Sequence, residues 1–118
     1  MSTVAATPVA RSSGVAPLAR LFRVLSDPTR LTIITLLEGG ERPVGDLVAA
    51  TGSSQPRVST HLACLRHCGL VENERRGREV VYRLTVDGLG ALLMRAMEVA
   101  GPRAQHLATC DRIGPDWV

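Results

Sequence analysis

The sequence predicts a mainly helical domain with one β-hairpin, in the element order α-α-α-α-β-β-α. Three observations carry that prediction. Apolar residues recur three and four apart through most of the chain, which is the period of amphipathic helices. Ser26-Asp27-Pro28, Gly39-Gly40, Gly52 and Gly101-Pro102 cut that pattern into short blocks. Two runs on either side of Arg75-Arg76-Gly77-Arg78 leave the helical period and alternate instead.

Residues 1–14 are small and polar with no apolar stripe, and predict a disordered arm. The first helix, 15–25, puts Leu18, Leu21, Phe22 and Leu25 on one stripe. Asp27 is then a good N-cap and Pro28 a good first residue for a second helix, because proline lacks only an N–H that would be unpaired there. That helix carries Leu31, Ile34 and Leu37 and stops at Gly39-Gly40. Pro43 opens a third helix, 44–51, which Gly52 stops. Ser53 or Ser54 caps a fourth, which runs to about Cys68 and is closed by Gly69. The third and fourth helices, joined by Thr51-Gly52-Ser53, form a helix-turn-helix. Strands at 70–74 and 79–84 flank the arginine-rich turn, where Gly77 can supply a positive φ. This hairpin is the wing. Asp87 starts a fifth helix through Leu89, Leu92, Leu93, Met97 and Ala100, and Gly101-Pro102 breaks it. Residues 101–118 form a tail that contains Cys110. The reading is therefore one winged helix-turn-helix over 15–100, in a chain of 118 residues with no room for a second domain.

Composition narrows the function. The only aromatic residues are Phe22, Tyr82 and Trp117, so the core must be aliphatic. A domain this small gains from burying apolar faces in a dimer. The net charge of +3 permits nucleic-acid binding without demanding it. Arg57, Arg66, Arg75, Arg76, Arg78 and Arg83 cluster in one stretch, against Glu72, Glu74 and Glu79. No apolar run reaches membrane-spanning length and the N-terminus lacks a secretory pattern, so a cytoplasmic protein with no membrane partner is expected. Three cysteines is an odd count, which argues against a closed disulfide framework. No nucleophile–base–acid set, phosphate-binding glycine loop or zinc-hydrolase motif is present, so no enzyme is expected.

On the fourth helix, Val58, Leu62 and Leu65 face the core at helical spacing. Ser54, Gln55, Arg57, Ser59, Thr60 and His61 lie near its N-terminal end and offer the donors and acceptors that base edges require. Arg75, Arg76 and Arg78 stand where a wing reaches phosphates or a minor groove. The same residues also fit a solvated helix face and a charged turn in an interaction module that binds no DNA.

Three segments carry a resemblance to a known family. Asp27-Pro28-Thr29-Arg30-Leu31 with Ile34 and Leu37 resembles the second helix of the ArsR/SmtB repressors. Ser59, His61-Leu62, Leu65-Arg66 and Gly69-Leu70-Val71 resemble that family's recognition-helix signature. Arg76-Gly77-Arg78, Val80, Tyr82 and Leu84 resemble its wing. The resemblance spans about residues 18–100. It implies a homodimer joined by the first and fifth helices, a palindromic double-stranded operator, and repression relieved by an inducer.

Cys64 and Cys68 are four apart on the fourth helix, so their Cβ atoms lie about 5–6 Å apart on one face. Two thiolates so placed can converge on one ion. Free cysteine is also among the most buried residue types, so the pair fits a packed position as well. Cys110 in the tail would complete a three-sulfur site, within its own subunit or across the dimer, suited to cadmium, lead, mercury or arsenite. The spacing resembles the CmtR-type cadmium/lead sensors of the family, which place two cysteines on the recognition helix and a third in the tail. Two other family sites are missing. The third helix reads Val44-Gly45-Asp46-Leu47 without the Cys-x-Cys of arsenic and lead sensors, and the fifth keeps Asp87 but has no histidine. Asp87 is then an N-cap. His67 points away from the cysteine pair, and His106 lies in the tail. The expected mechanism fixes the recognition helix to the tail and releases operator DNA. A thiol-redox repressor of the same fold is the alternative, and it requires a depressed thiol pKa near Arg57 and Arg66.

Overall fold

The computed structural model describes residues 14–113. The expected arm at 1–14 therefore lies outside the described residues except for Gly14, as does the last stretch of the tail. The helices are α1 (Val15–Leu25), α2 (Pro28–Glu38), α3 (Val44–Thr51), α4 (Gln55–His67), α5 (Leu89–Ala100) and α6 (Ala104–Ala108). The strands are β1 (Arg42–Pro43), β2 (Val71–Arg76) and β3 (Glu79–Leu84), in the antiparallel sheet order β1-β3-β2. This is a winged helix-turn-helix.

The sequence punctuation works through named hydrogen bonds. Asp27 caps α2 by accepting from the Arg30 N–H at 3.0 Å, with Pro28 in the first turn. Ser54, not Ser53, caps α4, accepting from the Arg57 N–H at 3.3 Å. Caps of this kind contribute about 1 kcal/mol each. The end of α4 is a Schellman closure. Gly69 sits at φ +79, its N–H bonds to the Arg66 carbonyl, and the Leu70 N–H bonds back to the Leu65 carbonyl at 2.9 Å. Leu70 then packs into the core beside Leu65 and leads directly into β2.

The core is aliphatic, as the composition requires. Ile33, Ile34, Leu47, Val58, Leu62 and Leu65 are completely buried, and Leu25, Leu37, Val71 and Leu89 close around them. All three apolar positions expected on α4 are among them.

The structure departs from the sequence reading in four places. β1 is a two-residue strand pairing Arg42 with Tyr82 and Pro43 with Val81. Nothing in two residues, one of them proline, signals a strand. β2 runs to Arg76, so Arg75 and Arg76 lie on the strand and the turn is only Gly77-Arg78, with Gly77 at φ +64. The chain enters α5 through Gly88 in a left-handed conformation, and no side chain caps that helix. Asp87 thus stands one residue too early to be the N-cap. Finally, Gly101-Pro102 ends α5 at Ala100 as expected, but the tail beyond it resumes helical structure, because proline is tolerated in a first turn. A 3₁₀ turn (Gly101–Arg103) leads into α6.

Candidate functional site

The site is built on α4. Burial of Val58, Leu62 and Leu65 fixes the rotation of the helix and therefore what its other faces present. Ser54, Gln55, Arg57, Ser59 and Thr60 are exposed along its N-terminal half. The Thr60 hydroxyl donates to the Pro56 carbonyl at 2.9 Å, within its own helix.

His61 behaves differently from those neighbours. Its side chain is only 14% exposed and turns inward, toward the start of α2. Arg30 Nη1 lies 3.3 Å from His61 Nδ1, and His61 Nε2 lies 3.7 Å from Asp27 Oδ1. A guanidinium only donates, so Nδ1 accepts and the ring proton sits on Nε2, facing the carboxylate. The same Arg30 donates from Nε to the Val24 carbonyl at 2.6 Å, which ties the end of α1 to α4. Polar chemistry alone groups His61 with the exposed set. The inward ring depends on a neighbour on another helix.

The wing arginines divide into two kinds. Arg76 makes a bidentate pair with Glu41 at 2.6 and 3.2 Å and a third bond to Glu74 at 3.0 Å. Arg83 bridges Glu72 at 2.5 Å and Glu74 at 3.0 Å. Cross-strand pairing of Glu72 with Arg83 and of Arg76 with Glu79 puts this network on one face of the hairpin. Hydrogen bonds from Arg76, then from Arg83, hold the Glu74 carboxyl below the usual carboxylate range. Arg75 and Arg78 are exposed on the strand end and the turn.

Cys64 and Cys68 share the inner face of α4. Cys68 is the C-cap and keeps helical backbone angles, and its N–H bonds to the Cys64 carbonyl at 3.0 Å, so the four-residue spacing holds to the helix end. Both line a cleft of about 410 Å³ between α1 and α4, walled by Pro17, Leu21, Val24 and Leu70 and by Arg20, Arg23 and Arg30. The Cys68 thiol is pushed above its ordinary pKa. Burial acts first, then the charge of Cys64 and its hydrogen bond, while Arg30 and Arg20 pull the other way. Two neighbouring thiols, one half-buried and one exposed, suit a soft, thiophilic ion. Cys110 follows α6, partly buried, with its N–H on the Leu107 carbonyl at 3.5 Å. Among the described residues of one chain, no three His, Cys, Asp or Glu side chains come together as a metal site. The tail cysteine therefore does not join the pair within the described chain. His67 and His106 are exposed.

A recognition helix presented beside a β-hairpin wing defines a winged-helix DNA-binding regulator, here with a dithiol on the inner face of the recognition helix. The family model for bacterial regulatory proteins of the arsR family matches residues 27–73. The chain is 42% identical over 95 residues to a probable mercury resistance operon repressor of Streptomyces lividans, covering 80% of this chain and 76% of that one. It is 44% identical over 82 residues to the transcriptional regulator CmtR of Mycobacterium tuberculosis, covering 70% of each. Among solved structures, a homodimeric winged helix-turn-helix DNA-binding domain from Mycobacterium bovis superposes with a TM-score of 0.67 at 30% identity, covering 87% of this chain and 95% of that one. The chain belongs to the ArsR family and is a transcriptional repressor of the ArsR/SmtB type, not an enzyme. Among the described residues, no helix is long and apolar enough to cross a membrane.

Proposed function

We propose that the protein is a homodimeric repressor that binds a palindromic operator and releases it when a soft metal ion binds Cys64 and Cys68, with Cys110, from the same subunit or its partner, as third ligand. Cadmium or lead is the preferred inducer, with mercury and arsenite in the same chemical class. The observation that carries the proposal is the dithiol: two thiols on the inner face of the recognition helix, opening on one cleft. Cys110 is the remaining thiol of the chain and would reach the pair from its own subunit or across the dimer. A dimer is supported by exposed apolar side chains on α1 (Val15, Phe22), α5 (Met94, Met97, Val99) and α6 (Leu107), several of them more than 60% exposed.

A bound soft ion supplies a cross-link between thiolates. The chain's own part is mechanical. Cys64 and Cys68 give up their protons, Cys110 draws the tail toward α4, and α4 changes its set relative to the partner's recognition helix. The Gln55–Thr60 face then no longer meets two half-sites at once. A coupling of about 1–3 kcal/mol would lower operator affinity by about 5–150-fold. Fluorescence anisotropy of a labelled palindromic fragment tests this, with the reduced dimer and added cadmium. Weakening in that range is expected, and unchanged affinity overturns the proposal. A redox mechanism through Cys68 would need a depressed thiol pKa, whereas burial and Cys64 raise it.

The DNA contacts assigned to Ser54, Gln55, Arg57, Ser59, Thr60, Arg75 and Arg78 rest on their exposure around the N-terminal half of α4 and the wing tip. His61 and Arg76 would join them only by leaving their present partners. Arg78→Ala is accordingly expected to reduce the slope of log affinity against log salt by about one. Arg76→Ala should reduce it by clearly less, because Glu41 and Glu74 already occupy that guanidinium. Equal losses in the two variants would count against the division.

A further inference from the structure

His61, Cys64 and Cys68 lie three and four residues apart on α4, so they form one continuous row on its inner face. One side chain from another helix stands along that row. Arg30 lines the cleft into which both cysteines open, and its Nη1 is 3.3 Å from His61 Nδ1. Its Nε is fixed to the Val24 carbonyl at 2.6 Å, and its own backbone N–H is held by the Asp27 carboxylate that also faces His61. Arg30 is thus the one named group among these contacts that meets both the dithiol cleft and the ring on the DNA-reading half of the helix.

We propose that Arg30 is the positioning residue that passes the state of the dithiol to the recognition helix through His61. This rests on the proposed metal-binding role of the cysteines. Without metal the guanidinium stands at the cleft and donates to His61. Cys64 and Cys68, with Cys110, would hold a soft divalent ion as thiolates, and the excess negative charge would stand beside Arg30 in a partly apolar cleft, where charges attract more strongly than in water. The Arg30 Nη2, which serves neither the Val24 nor the His61 bond, would be drawn toward the sulfurs, and the Nη1 contact to His61 Nδ1 would lengthen with it. That lengthening frees the His61 ring from Arg30 and loosens the join between α2 and the N-terminal half of α4. The exposed face from Gln55 to Thr60 moves with it.

The test follows the imidazole signals of the reduced full-length dimer by NMR during titration with cadmium, with His61→Gln used to assign the signal by its disappearance. In the wild type the His61 signals are expected to shift in step with growth of the thiolate-to-cadmium absorption band. In Arg30→Lys the band should still grow, but the His61 shift should shrink at least threefold and cadmium should weaken operator binding by less than threefold. Wild-type His61 signals that stay still while the band saturates overturn the relay, without recourse to any variant. So does an Arg30→Lys protein that cadmium releases from the operator as fully as the wild type. A wild type that shows no band at all removes the metal reading itself, and the relay with it.

Discussion

Cys64→Ser is expected to abolish cadmium-induced operator release, raising the cadmium concentration for half-release at least about hundredfold. Loss of a supporting group behind a metal ligand already costs about 10–100-fold in affinity, so loss of a ligand should cost more. Serine keeps the shape of the site but replaces a soft thiolate with a hard, protonated hydroxyl. Operator binding without metal should persist, because Cys64 faces the cleft and the base-reading side chains face outward. The response should also depend on pH with a defined sign. The Cys68 pKa is raised, so this thiol is protonated at neutral pH and must lose its proton to bind. Metal affinity therefore rises with pH, about tenfold per unit for each proton displaced. Anisotropy titrations at pH 7 and 8 check both points. A half-release concentration that is unmoved by the substitution would remove Cys64 from the site.

The second large effect is on stability. Leu62 is completely buried at the centre of α4, between Val58 and Leu65 on the stripe that fixes the helix rotation. Leu62→Ala removes its burial and leaves a cavity in a core whose fully buried side chains are all aliphatic. The expected loss is about 2–5 kcal/mol, a large part of the stability of a small domain. Urea unfolding at one fixed protein concentration measures it, since a dimer's midpoint depends on concentration. A loss below about 1 kcal/mol would mean that α4 is not anchored by this stripe.

Much of this was legible from local sequence. The α4 core positions, the Asp27 cap, a serine cap at 53 or 54 and the cysteine spacing all follow from helical period and capping chemistry. What was not legible depends on neighbours distant in the chain. His61 groups with the exposed set by its polar chemistry, yet Arg30 and Asp27, some thirty residues earlier, hold its ring inward. Arg76 reads as a wing-tip phosphate contact until Glu41 is seen to grip it across the sheet. β1 has no sequence signal because its two residues are extended only by pairing with β3. Asp87 has the chemistry of an N-cap but loses the place to Gly88, whose left-handed backbone sets the start of α5.

Ultraviolet absorption during anaerobic titration of the reduced full-length protein with cadmium, beside Cys110→Ser, tests the central claim most directly. The account predicts a thiolate-to-metal band that saturates at one ion per subunit and weakens when Cys110 is lost. Absence of the band would contradict a soft-metal site on α4, and a band indifferent to Cys110→Ser would contradict the third ligand from the tail.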